Sequence, residues 1–188
     1  MEQENVHRLL DKLMTRPMKF LAKVCVVVGD VVDNLKFGDN LGTNIELFFS
    51  AETYHDFFQN RHKQMCDYVK ANSLAHTMLH YCGSIYELIP ELLDAGFEII
   101  NPVQVNGINM KPERIKREFG RDLTFWGRSC NTKNIQHRVT PQDVKDELKH
   151  NLEIFKNNGG LVFKTIQRHH VGFRSGKRRC DVRGCKGV

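Results

Sequence analysis

His80 and Cys82 stand two positions apart in Met78-Leu79-His80-Tyr81-Cys82-Gly83-Ser84, where an apolar run meets a glycine. Imidazole nitrogen and thiolate are natural zinc ligands, and a catalytic zinc takes three protein ligands with one position left open. If the run is a strand, residues two apart share a face and enter the same space. The plainer reading is a histidine and a cysteine packing and hydrogen-bonding at a strand end. Asp39, between Gly38 and Asn40, suits a turn, or the orientation of a polar substrate group or a ligating histidine. Asn101 and Gln104 carry amides that both donate and accept, which fits substrate contact as well as a simple loop role.

The elements that must position these residues alternate. A helix over 6–28 follows from Val6, Leu9, Leu10, Leu13, Phe20, Leu21 and Val24 at three- and four-residue steps, with Pro17 kinking or dividing it. Strands are expected at 31–37, 76–81, 97–101, 123–126 and 161–166. Helices are expected at 51–71, with Ser50 as cap, and at 84–95, opened by a Ser84/Glu87 capping box. A short one starts at Pro112, and a last one starts at Thr140-Pro141 with Leu148, Leu152 and Phe155 on its buried face. Strands followed by helices in series make a parallel α/β sheet, whose chemistry sits in the loops after the strand ends. Trp126 reads as a wall residue. Gly38-x-x-x-Gly42-Thr43 lacks the lysine of a phosphate loop.

With 188 residues, 40% hydrophobic and 27% charged, the chain fits one ordinary soluble domain. No apolar run approaches the roughly 20 residues that span a bilayer, and the start is acidic, so a cytoplasmic protein is expected. The net charge of +6 lies wholly in residues 168–188, which hold seven of the 28 bases and one of the 22 acids, leaving 21 of each elsewhere. That tail lacks amphipathic period and reads as disordered rather than as an arm for nucleic acid. Cys25 and Cys66 fall in helical patterns as packing residues. Cys180 and Cys185, near His169 and His170, fit no standard zinc module.

Phe37-Gly38-Asp39-Asn40-Leu41-Gly42-Thr43, His80-Tyr81-Cys82-Gly83-Ser84-Ile85, the run from Ala95 to Gln104, and Leu123-Thr124-Phe125-Trp126-Gly127 occur in one order. In these segments the chain resembles the C-terminal half of the uroporphyrinogen decarboxylase superfamily. That superfamily holds porphyrinogen decarboxylases and zinc-dependent methyltransferases working with corrinoid proteins. The resemblance implies half of a (β/α)8 barrel over 1–167, about five parallel strands with intervening helices. It implies zinc-assisted methyl transfer from a methyl-corrinoid to a thiol, or alternatively decarboxylation of a tetrapyrrole, uroporphyrinogen III.

The family's methyltransferases pair their His-x-Cys with a distant cysteine after the last strand. Lys164-Thr165-Ile166-Gln167 has none, so Cys130 is expected as the substitute third ligand. The implied partners are a corrinoid protein or tetrapyrrole substrate, and an N-terminal half-barrel fragment or a second copy covering the open sheet edges. Without a partner, the chain is expected to be inactive or a noncatalytic remnant. After Gln167 the family pattern stops, and a change of reading frame there is the expectation that the nucleotide sequence tests.

Overall fold

The computed structural model describes residues 2–43, 45–81, 83–103, 108–127, 140–156 and 160–162. Five strands form one parallel sheet in sequential order: β1 (Asn34–Gly38), β2 (His76–His80), β3 (Ile99–Asn101), β4 (Thr124–Trp126) and β5 (Leu161–Val162). Helices intervene: α1 (Gln3–Val28) before the sheet, then α2 (Ala51–Tyr54), a π-helical turn (His55–Gln59) and α3 (Asn60–Asn72) between β1 and β2. A 3₁₀ turn (Tyr86–Leu88) and α4 (Ile89–Asp94) join β2 to β3. α5 (Pro112–Phe119) follows β3, and α6 (Pro141–Phe155) precedes β5. Sequential parallel order with helical crossovers is the construction of an α/β barrel, and this sheet is an arc of one.

Strand alternation divides the sheet. Leu79, Ile100 and Phe125 belong to the main core with Cys66, Leu92, Ile115 and Phe155 from the helices. The intervening positions therefore face away from the helix layer, the side that becomes the interior in a closed barrel. Met78 and His80 of β2 are in register with Ile99 and Asn101 of β3 on that side.

Several expectations hold with shifted ends. α6 carries the full capping box, in which Thr140 accepts from Asp143 N and the Asp143 carboxylate accepts from the Thr140 backbone. Leu148 and Phe155 are fully buried. Others are corrected. Pro17 lies inside one continuous α1 and does not divide it. The α1 residues that bury are Leu21 and Cys25, whereas Leu9, Leu13 and Phe20 are exposed, so part of its apolar period faces outward. Ser84 caps no helix: its hydroxyl donates to Ile108 O at 2.5 Å, and the helix begins as a 3₁₀ turn without a side-chain cap. The tail 168–188 and the expected strand end at 163–166 lie outside the described residues.

Candidate functional site

The β2 strand delivers His80 to the C-terminal edge of the sheet, half-buried, directly opposite Asn101 of β3. Its Nδ1 lies 2.8 Å from Asn101 Oδ1. An amide oxygen only accepts, so Nδ1 carries the proton and Nε2 keeps its lone pair. Asn101 is 7% exposed. Its Oδ1 is used by His80, and its Nδ2 has no partner among the described residues. Gly127, at φ +86° after β4, lets the chain pass close to that amide. A Cβ there would stand 3.2 Å from Asn101 Nδ2, in a backbone region that glycine enters at little cost.

Asp39 follows β1 on the neighbouring position, its backbone N–H donating to His80 O at 3.2 Å. One carboxylate oxygen accepts from Asn40 N at 2.7 Å, and the other lies 3.2 Å from His62 Nε2. Burial by itself would raise the Asp39 pKa. The His62 hydrogen bond, the attraction of that ring and the Asn40 N–H outweigh it and hold the carboxyl below its ordinary value. His62 was not legible as a site residue, because it lies in a polar stretch of helix with no motif around it.

Cys82, Gln104 and Cys130 lie outside the described residues. Among the described residues, no three His, Cys, Asp or Glu side chains gather as a metal centre. Of the expected site residues, the structure brings together His80 and Asn101, whereas Asp39 meets His80 only through its backbone N–H and turns its carboxylate to His62. Trp126 is half-buried on the same sheet side as His80. Cys25 and Cys66 are buried away from the rim, as expected of packing residues.

The loops after β1, β2 and β3 carry an excess of acid. Asp39 and Glu46 stand in the loop after β1 and Glu87 in the 3₁₀ turn after β2, against one described base, Lys111. Glu46, Ser84, Tyr86, Glu87 and Asn109 help line a hollow of about 170 Å³ between those loops. No described helix is long and apolar enough to cross a membrane.

No family model and no curated protein matches the chain. Among solved structures it is similar to a methyltransferase from Methanosarcina mazei, with a TM-score of 0.56 and 16% identity, over 81% of this chain and 42% of that one. The chain therefore spans less than half the length of that protein. At such identity the likeness is one of fold.

Proposed function

We propose that this chain carries the metal-holding side of a methyl-transfer site, with a thiol as methyl acceptor. The observation that carries the reading is the His80–Asn101 pair at 2.8 Å. Metal-ligating histidines characteristically donate their second ring N–H to a carbonyl or carboxylate, which fixes the tautomer and raises ligand basicity. His80 has that arrangement, with no partner for Nε2 among the described residues at the loop end of a parallel sheet, which supports it as one ligand of a zinc ion. His80 and Cys82 would hold it, with Cys130 as the third ligand.

Zinc there supplies Lewis acidity that lowers the pKa of a bound thiol. The chain's own residues do the rest. Asn101 holds the His80 ring in one orientation. In the overall reaction a methyl-corrinoid on a partner protein gives its methyl group to the thiol sulfur. The C–S bond would form with the sulfur electron pair, the pair of the broken Co–C bond would stay with the corrinoid, and the thiol proton would go to solvent. Decarboxylation of a tetrapyrrole polyanion is the weaker reading, because the His80 and Cys82 pair does not suggest it.

Metal content tests the proposal. Purified wild-type chain is expected to hold about one zinc, lost in His80→Ala and in Cys82→Ala. Zinc content that is absent in the wild type, or unchanged in both variants, overturns it.

A further inference from the structure

The α1 helix has two apolar stripes, and only one of them meets the fold. Leu21 and Cys25 bury against Val69 of α3, with Met18 packed beside them. Leu9, Leu13, Phe20 and Val27 are 57%, 60%, 69% and 73% exposed. At 100° per residue these four lie within about 40° of one another and about 130° from the buried stripe. They form a separate ridge on the outside of the molecule, with roughly 27 Å between its ends at 1.5 Å per residue.

Charge on the helix is just as one-sided. All five of its bases, Arg8, Lys12, Arg16, Lys19 and Lys23, fall within about 80° of one another, alongside the exposed ridge. Each is exposed, and none has a hydrogen-bond or ion-pair partner among the described residues. The two acids of the helix, Glu4 and Asp11, lie outside that sector, and Asp11 is held by Arg61 at 2.5 Å.

We propose that α1 is a membrane-surface helix that docks the protein on an anionic lipid bilayer. Leu9, Leu13, Phe20 and Val27 would enter the acyl boundary, and the five bases would reach the headgroups along their aliphatic stems. The helix lies on the bilayer rather than through it, since no described helix is long and apolar enough to cross. Other partners answer one half of the pattern only. Nucleic acid neutralises the bases but gives Leu13 and Phe20 nothing to enter. A second copy docked through the ridge covers the apolar side chains but answers none of the charges, because the facing helix carries the same bases. None of these residues belongs to the site at the end of β2, so the proposal stands apart from the metal reading.

Flotation of the full chain tests it, with vesicles of phosphatidylcholine alone and of phosphatidylcholine with about 30% phosphatidylserine. The chain is expected to bind the anionic vesicles at least tenfold more tightly than the neutral ones, and to be released by about 0.5 M salt. Leu13→Ser with Phe20→Ser, and separately Lys12→Gln with Lys19→Gln, are each expected to weaken binding about tenfold or more. All four side chains are exposed, so the thermal midpoint stays as in the wild type. Phe20→Trp gives an independent readout, an emission that shifts to the blue on anionic vesicles beyond any change from Trp126. No binding to anionic vesicles, or binding unchanged in both pairs, as the basic tail 168–188 alone would give, overturns the proposal. Loss in the lysine pair without loss in the serine pair also overturns it, because the contact is then purely electrostatic. So does tighter binding to a short DNA duplex than to the anionic vesicles. A dimer in sedimentation that the serine pair abolishes overturns it too, by putting a second copy on the ridge.

Discussion

His80 and Asn101 are register partners on β2 and β3, and the same two residues hydrogen-bond through their side chains at 2.8 Å. Strand pairing therefore sets the orientation of the imidazole. The residue best suited to bind a metal is aimed by the next strand, so its geometry depends on the sheet rather than on a flexible loop.

Asn101→Ala is expected to weaken zinc binding about 10- to 100-fold, the usual effect of removing an outer-shell partner. Asn101→Asp, which keeps an acceptor at the same place, restores most of it. Competition with a chromophoric chelator measures both. Equal affinity in wild type and Asn101→Ala contradicts the orienting role.

Gly127→Ala places a methyl group 3.2 Å from Asn101 Nδ2 at φ +86°. The backbone strain costs about 1 kcal/mol, and the amide must shift. A lowered thermal midpoint together with weakened zinc binding is the expected result. A variant as stable as the wild type would show that the turn relaxes freely.

Asp39 and Glu98 both have pKa values below their ordinary 3.8 and 4.5. For Glu98, burial opposes the shift, and the Thr77 N–H and His76 outweigh it. A depressed folded-state pKa adds stability that is complete above the unfolded value and lost as pH falls through the folded one. Urea unfolding is expected to show stability falling through the acid range. Asp39→Asn gives a shallower fall and a lower plateau near pH 7. A pH dependence identical to the wild type contradicts this.

Arg61, 8% exposed, ties α3 to α1 by donating to Asp11 Oδ1 at 2.5 Å and to His7 O at 3.1 Å. Asp11→Ala leaves that guanidinium without its counter-charge and is expected to cost about 1–3 kcal/mol. Replacing both residues, Asp11→Ala with Arg61→Met, recovers part of the loss because no buried charge remains. Denaturant titration of the single and double variants measures the difference. A double variant less stable than the single one would refute the account.

Burial pushes the Cys66 thiol up to about 12, and the residue is 0% exposed. Alkylation by iodoacetamide at pH 8 requires thiolate and access. Peptide mapping is expected to find Cys66 unmodified in the native chain and modified in denaturant. Rapid native labelling would place it in a different environment.

Much of the fold was legible because local rules decide it. Apolar runs broken by Gly38, Gly83 and Gly127 mark strand ends, and Thr140-Pro141 with Asp143 marks a helix start that the structure keeps atom for atom. Ser84 shows where such rules stop. Its spacing to Glu87 satisfies a capping pattern, yet the nearby Ile108 carbonyl takes its hydroxyl, a long-range acceptor that no local window contains. Leu9, Leu13 and Phe20 similarly satisfy a helical period, but period alone does not say which apolar face meets the sheet.

The sequence by itself determined the alternation of strands and helices and the placement of His80 and Asn101 at, and Asp39 just after, strand ends, because side-chain period and turn chemistry act over a few residues. Only the tertiary structure decided that Asn101 holds the His80 ring and that His62 reaches Asp39. The first contact depends on strand register. The register is settled by packing between segments about 20 residues or more apart, where local propensity carries no information.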